Sequence, residues 1–386
     1  MSLLLVALVV QSAEPAGHFP PALSTAPPAA VDHVAIVHIS RDHGQPDEDQ
    51  RVMRSGSWIR TEAAGSVGQV QTTVTHSDLS SGNSITWSRD ANGGYRALTI
   101  NRHSTADTYD LRYRTRTGQR DRALGEACEV WRTRNVDPAH SYYDHLTCET
   151  SDGIELWSRN VLSNGTELSG STRTVELQRR PVARQEVLPP RDVLRWSYWR
   201  GERREAGPQT GTDRQPQHYE VRMEPVGGRG HPWLVNRRRG DWRYRESIDA
   251  NGQLYVEVDN GLVQIYYRAE AEGRPVSLMV SRAQPGQVGL NDLSAFAPTQ
   301  PRRSERILGE ECFWSGPSGA QGIDFTSGGL HACITSDALA LRTIEGDRAI
   351  ASYVATGIDR GRQPASALMP PAAAFDWRNW GVEFDR

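Results

Sequence analysis

The chain has no lysine, and all 44 of its basic residues are arginine. That excludes the G-x-x-x-x-G-K-[ST] loop, whose lysine reaches the phosphates of a nucleotide. Use of arginine alone reads as a coding bias and not as a guanidinium-specific function. Cysteine is scarce, four residues in 386, and no two of them stand at the short Cys-x-x-Cys or clustered Cys/His spacing of a zinc site. Long apolar runs are missing too. The stretch Leu3 to Val10 is eight residues, far short of a bilayer span. Charge is nearly balanced, with net −3 and a pI near 6.4, so composition points to no polyanionic partner and no nucleic acid. The short run Arg237-Arg238-Arg239, closely followed by Asp241, reads as a solvated turn. No G-x-S-x-G elbow of a serine hydrolase is found. The nearest approach, GPSG from Gly316, lacks the spacing.

What is present is a duplication. LGEACEVW from Leu124 returns as LGEECFW from Leu308, and HLTCETSDGIEL returns as HACITSDALAL. Leu124 and Leu308 are 184 positions apart, Trp58 and Trp242 are again 184 apart, and Cys148 and Cys333 are 185 apart. An offset held across so many landmarks marks two copies of one unit.

Each copy owns two cysteines, Cys128 with Cys148 and Cys312 with Cys333. Of the three possible connectivities, pairing within each copy is the one that leaves each copy self-contained. Such bridges need an oxidising compartment. An apolar run followed by Ser12 and Ala13 has the character of a secretory signal, although a basic n-region is missing. The expected organisation is a signal segment over 1–13, a Pro/Ala-rich leader over 14–30, a first repeat over 31–200, a polar linker over 201–217 and a second repeat over 218–386. The expected location is periplasmic or secreted.

Within each copy the segments are short and alternate. Val34 to Ile39, SGSWIRTEA and YEVRM read as strands, as does DTYDLRYRT, where Tyr109, Leu111 and Tyr113 point away from Asp110, Arg112 and Arg114. Asn92-Gly93, Asp152-Gly153, Asn164-Gly165 and Asp259-Asn260-Gly261 are hairpin turns. LYVEVDNGLVQIYYR gives two more strands. Each copy ends in a Pro pair before a short aromatic helix, LPPRDVLRWSYW and LMPPAAAFDWRNW. Leu194, Trp196 and Trp199, and Phe375, Trp377 and Trp380, form an aromatic plug that closes the open end of each copy's own sheet. The fold class is mainly β: two tandem repeats, each a curved antiparallel sheet or unclosed half-barrel with short capping helices, and each able to bury its own core.

The order of strands, LGE-x-C, the second Cys before a T-S-D turn and the Pro pair before a terminal aromatic helix resemble an uncharacterised family of exported bacterial proteins. More distantly, the pattern is similar to the LolA/LolB-type lipoprotein carriers, whose domain is an unclosed half-barrel covered by short helices. The resemblance implies a hydrophobic groove for a lipid, a lipoprotein or another apolar ligand, and no residue is carried over from the carriers. The candidate groove positions, Tyr109, Leu111, Tyr113, Leu262 and Tyr266, come from the alternating aromatic strands themselves.

Catalytic chemistry is expected to be absent, and no cofactor or metal site is expected. His33 and His38 would face opposite sides of a strand, and His145 and His331 fall out of step with each other, so each is read as a satisfied or solvated histidine. The matched acids, Glu126 with Glu310 and Asp152 with Asp337, would each order a turn. A carboxylate pair for general acid/base work is the hydrolase alternative. A further alternative is an envelope interaction module whose duplicated surfaces give avidity for a protein or glycan partner. Oligomeric state is not legible in the sequence.

Overall fold

In the motif LGE, shared by both copies, the leucine and glycine lie between two strands. In a computed structural model of the protein, Leu124 and Gly125 have φ of 54° and 77°, and Leu308 and Gly309 have φ of 53° and 83°. Two consecutive positive φ values give the turn whose twist matches that of paired strands. An exposed leucine in this conformation is strained, because its Cβ crowds the backbone. The described residues are 31–41, 46–64, 70–76, 83–102, 114–134, 143–162, 165–199, 216, 218–227, 233–249, 251–282, 303–315, 318–319, 322–323, 330–345 and 351–384. The expected signal segment, the leader and nearly all of the linker lie outside them, as do Tyr109, Leu111 and Tyr113.

The chain forms two compact units, one of residues 109–171 and one of residues 30–108 with 172–386. The smaller unit contains β7 (Arg114–Ala123), β8 (Glu126–Arg134), β9 (Tyr143–Glu149) and β10 (Glu155–Leu162). These pair antiparallel in chain order. Cys128 on β8 is bridged to Cys148 on β9, with Cα atoms 5.4 Å apart. At the β9–β10 turn the Thr150 hydroxyl accepts the N–H of Ile154 at 3.0 Å and donates to Asp152, which is the local role expected of that aspartate.

The larger unit is one open antiparallel ladder. Its first-copy strands are β1 (His33–Ile39), β2 (Glu48–Ser55), β3 (Trp58–Ala64), β4 (Val70–His76), β5 (Asn83–Arg89) and β6 (Tyr95–Arg102). The Thr172–Arg179 part of β11 (Glu167–Arg179) pairs with β1. The second copy supplies β12 (His218–Pro225), β13 (Trp233–Arg239), β14 (Trp242–Ile248), β15 (Leu254–Asp259), β16 (Val263–Ala269) and β17 (Pro275–Arg282). It continues with β18 (Ser304–Ile307), β19 (Glu310–Ser315), the two-residue β20 (Ser318–Gly319) and β21 (Gly322–Ile323), β22 (Leu330–Thr335), β23 (Ala340–Glu345) and β24 (Ala351–Asp359). Pairing runs β11-β1-β2-β3-β4-β5-β6, then β17 back to β12, then β24, β23, β22, β19 and β18. Cys312 is bridged to Cys333 within it, on β19 and β22.

The two copies meet at β6 and β17. Leu98 pairs with Val280, Ile100 with Leu278 and Thr99 with Met279. Leu98 corresponds to Leu278 and Ile100 to Val280, so a local two-fold axis passes through the Thr99–Met279 rung. The terminal segments follow the same symmetry: a 3-10 turn at Arg191–Leu194 and a helical turn at Trp196–Trp199 in one copy, 3-10 turns at Ala372–Phe375 and Trp377–Trp380 in the other. Trp199 and Trp380 are fully buried, and their indole N–H groups donate to Val193 O at 2.7 Å and Ala374 O at 3.0 Å.

The expectation that each copy buries its own core holds only in part: a cluster with Tyr219, Val221, Met223, Trp314 and Leu341 belongs to the second copy alone, but another joins the two copies. The latter contains Val74, Ile85, Trp87, Leu98, Ile100, Leu194 and Trp199 of the first copy with Val256, Val258, Ile265, Leu278, Val280 and Trp380 of the second. The plugs are shared as well: Arg102 donates to Asn379 O, Arg282 to Tyr198 O at 3.5 Å, and Asn83 to Trp380 O at 2.5 Å. Arg237-Arg238-Arg239 is not a solvated turn either. It ends β13, and Arg238 is buried, donating to Gly240 O at 2.9 Å.

Two outcomes are expected. Leu308→Asn, which places a residue tolerant of positive φ in the turn, should stabilise the protein by about 0.5–1 kcal/mol in urea unfolding. Trp380→Ala should cost about 3–5 kcal/mol and, because Trp380 caps a core shared by both copies, should also speed hydrogen exchange in β5 and β6.

Candidate binding site

The apolar face of the larger sheet is not an open groove among the described residues. It is covered by the chain's own Val187, Leu188, Val193, Leu194 and Trp199 and by Leu368, Ala374, Trp380 and Val382. Of the two sequence-derived groove positions that are described, Leu262 is 40 % exposed in the β15–β16 turn. Tyr266 lies on the opposite side of β16 from the core residues Val263, Ile265 and Tyr267. Period-2 alternation identified the strand, but LYVEVDNGLVQIYYR carries apolar residues on both faces, so the choice of face was not legible.

An open cleft does occur in the smaller unit, on the face that bears the disulfide. Its volume is about 510 Å³; Val130, Leu146, Trp157 and Val161 line it together with the polar Gln119, Arg120, Asp121, Arg159 and Glu167. The register explains the grouping. Cys148 stands opposite both Val130 and Trp157, Leu146 opposite Arg132 and Arg159, and Asp144 opposite Val161, so these side chains share one face. Val130 and the disulfide are buried beneath the cleft. The Trp157 indole donates to Asp121 at 3.1 Å, and the Arg159 guanidinium lies 4.5 Å from the indole centre. Trp157 is thereby fixed as a wall, with both its polar edge and one face engaged. On the reverse face the Glu149 carboxyl is pushed up by burial, against the opposing effect of its ion pair with Arg114.

A second cleft of about 330 Å³ lies in the larger unit, between Met223, Leu234, Val235 and Arg237. Its guanidinium is already committed: Arg237 donates to Glu220 at 2.6 Å, to Glu246 at 3.1 Å and to Ala367 O at 3.3 Å. Burial pushes the Glu220 carboxyl up, but the hydrogen bonds from Arg237 and Arg222 outweigh it and hold the group below its usual range. Tyr244 is raised well above the ordinary phenol by burial and by the Glu246 carboxylate. This cleft is braced by its own charges.

The matched acids of the second copy do come together, on a cation. Arg360 forms ion pairs with Glu310 and with Asp337, the latter at 3.2 Å, and its hydrogen bonds to Glu310 raise the already high guanidinium value further. Asp337 also accepts from Thr335 at 2.5 Å, and Thr335 accepts the N–H of Leu339 at 2.9 Å. The first copy repeats the Thr150–Asp152 turn, so this geometry orders turns. His33 donates to Val31 O at 2.8 Å, His145 meets Asn160 at 2.9 Å, and His331 is fully buried. Among the described residues no group of His, Cys, Asp and Glu is placed to hold a metal ion, and no helix is long and apolar enough to cross a membrane.

No family model and no curated protein matches the chain. Similar solved structures include an outer membrane lipoprotein-sorting protein domain from Vibrio parahaemolyticus, 11 % identical over 41 % of this chain and 89 % of that one, with a TM-score of 0.24. They also include PNGF-II, 8 % identical over 67 % and 65 %, TM-score 0.28. A DUF1329 family protein from Desulfovibrio piger is 10 % identical over 68 % and 89 %, TM-score 0.21. Scores this low carry neither ligand nor activity to this chain.

His38 has a specific electrostatic setting, with Asp49 at 2.8 Å and Asp47 at 3.3 Å. The hydrogen bond to Asp49 is the main cause that raises its value above the ordinary 6.5. The raised value makes the charged pair favourable below pH 6.5, and that contribution is lost as pH rises through the folded-state value. In an NMR titration the His38 ring should therefore reach its midpoint above 6.5, and Asp49→Asn should bring the midpoint down.

Proposed function

We propose that the protein is an extracytoplasmic, non-enzymatic binding protein that takes a hydrophobic ligand in the cleft of its smaller unit. The observation that carries this reading is the aliphatic floor of Val130, Leu146 and Val161 beneath an open cleft of about 510 Å³, a size in the usual range for small-molecule sites. The broader apolar face of the larger sheet is already filled by the chain's own terminal segments, which leaves the smaller unit as the place for an exogenous apolar group. Two intrachain disulfides support an oxidising location. The binding reading is favoured over catalysis because Glu310 and Asp337, the acids that correspond between copies, are neutralised by one arginine, which suits a turn clamp and not a proton-transfer pair.

The test is uptake of the fluorescent apolar probe N-phenyl-1-naphthylamine by the full chain, followed through its emission and through quenching of Trp157. Saturable uptake is expected. Leu146→Gln, which replaces part of the apolar floor with an amide, should weaken uptake about tenfold without shifting the thermal midpoint by more than a few degrees. A wild-type chain that takes up no probe would overturn the reading.

A further inference from the structure

The cleft of the larger unit differs from the same place in the first copy by the position of one cation. A cross-strand row of Arg222, Val235 and Glu246 runs along it, with Arg222 opposite Val235 and Val235 opposite Glu246, so the three side chains share one face. In the first copy the corresponding row is Ile36, Arg51 and Glu62. There the charges are neighbours. Glu62 takes Arg60 on Oε1 at 2.6 Å and Arg51 on Oε2 at 3.6 Å, so both carboxylate oxygens are occupied. In the second copy a valine stands where Arg51 does, and the guanidinium is one strand farther away, on Arg222. Two strand spacings, roughly 10 Å, therefore separate Arg222 from Glu246. Duplication started the two rows equal, so the second copy has opened a gap between its charges and lined that gap with an apolar side chain.

The hydrogen bonds show which groups are left for a ligand. Arg237 and Tyr244 both donate to Oε2 of Glu246, while its Oε1 has no partner among the described residues. The Glu246 side chain is only 19 % exposed, so this oxygen is held in place at the cleft wall. Arg222 spends its Nε on Glu220 at 2.6 Å, and its two terminal nitrogens meet no described residue. Glu224 also lines the cleft and has no partner among the described residues. Three carboxylates, Glu220, Glu224 and Glu246, thus stand with two guanidiniums, Arg222 and Arg237, which leaves an excess of negative charge. The terminal fork of Arg222 matches a carboxylate, and the open oxygen of Glu246 matches an ammonium. A simple anion or a simple amine would satisfy one of these and strand the other. A molecule that carries both groups, with a further positive charge, satisfies all three, and about 330 Å³ is room for one of amino-acid size.

We infer that this cleft binds a basic amino acid, with its carboxylate on the Arg222 fork, its α-ammonium on Glu246 and its side-chain cation toward Glu224. The site is separate from the apolar cleft of the smaller unit. The test is isothermal titration calorimetry of the full chain with L-lysine and L-arginine, and with L-leucine and cadaverine, the decarboxylated form of lysine, for comparison. Saturable binding of lysine or arginine is expected, with leucine and cadaverine each about tenfold weaker or more. Arg222→Gln changes an exposed side chain, so it should leave the thermal midpoint in place, weaken lysine about tenfold and leave cadaverine unchanged. Glu224→Gln should narrow the gap between lysine and leucine. Leu146→Gln, in the smaller unit, should leave lysine binding as it is. No binding of either basic amino acid at millimolar concentration would overturn the inference. So would lysine binding that Arg222→Gln leaves intact, or cadaverine binding as tight as that of lysine, because a surface that reads positive charge alone needs no fork.

Discussion

The structure of the larger unit depends on one edge-to-edge pairing, β6 against β17. A sheet edge presents a row of unsatisfied N–H and C=O groups, which natural proteins cover, charge or pair. Here each copy's sixth strand is the cover for the other's. Because Thr99 pairs with its own counterpart Met279, the symmetry is local and two-fold, the arrangement of an isologous dimer interface carried within one chain. The paired core residues Leu98, Ile100, Leu278 and Val280 are all completely buried. The crossing hydrogen bonds of Arg102 and Arg282 extend the same symmetry to the terminal segments. The consequence for function is that the apolar face expected to be free for a ligand is used to hold the copies together.

The copies have diverged in ways that keep this arrangement. In the first, Met53 stands opposite Arg60, and Arg60 donates to Glu186 O at 3.2 Å. In the second, the corresponding rung is Arg237 opposite Tyr244, and Arg237 donates to Ala367 O. The guanidinium has changed strands, yet in both copies it reaches a carbonyl of the short turn before the Pro pair. A rung places its two side chains side by side on one face, so either position can deliver the same donor. Arginine suits the task because its planar fork can satisfy a carbonyl and a carboxylate together.

Much of the local structure was legible in the residues. Positive φ at Gly93, Gly153, Gly165 and Gly261 agrees with the turn signals, since glycine alone adopts that conformation without steric cost. The Leu-Gly turns gave no such signal, because leucine is disfavoured there. Their only trace was recurrence at a fixed offset. The cleft of the smaller unit was illegible for a related reason. Val130, Leu146, Trp157 and Val161 come from three strands, and each strand pattern states only which residues alternate.

Sequence by itself determined the duplication, the antiparallel β class, the pairing of cysteines within each copy and the aromatic plugs, because these rest on spacing and on local conformational preference. Tertiary structure decided which face of each strand is buried, which copy's plug meets which sheet, and where a cleft stays open. Those depend on register and on edge pairing between segments far apart in the chain. A hydrophobic pattern with period 2 looks the same whether its apolar face meets a ligand, its own C-terminus or the other copy.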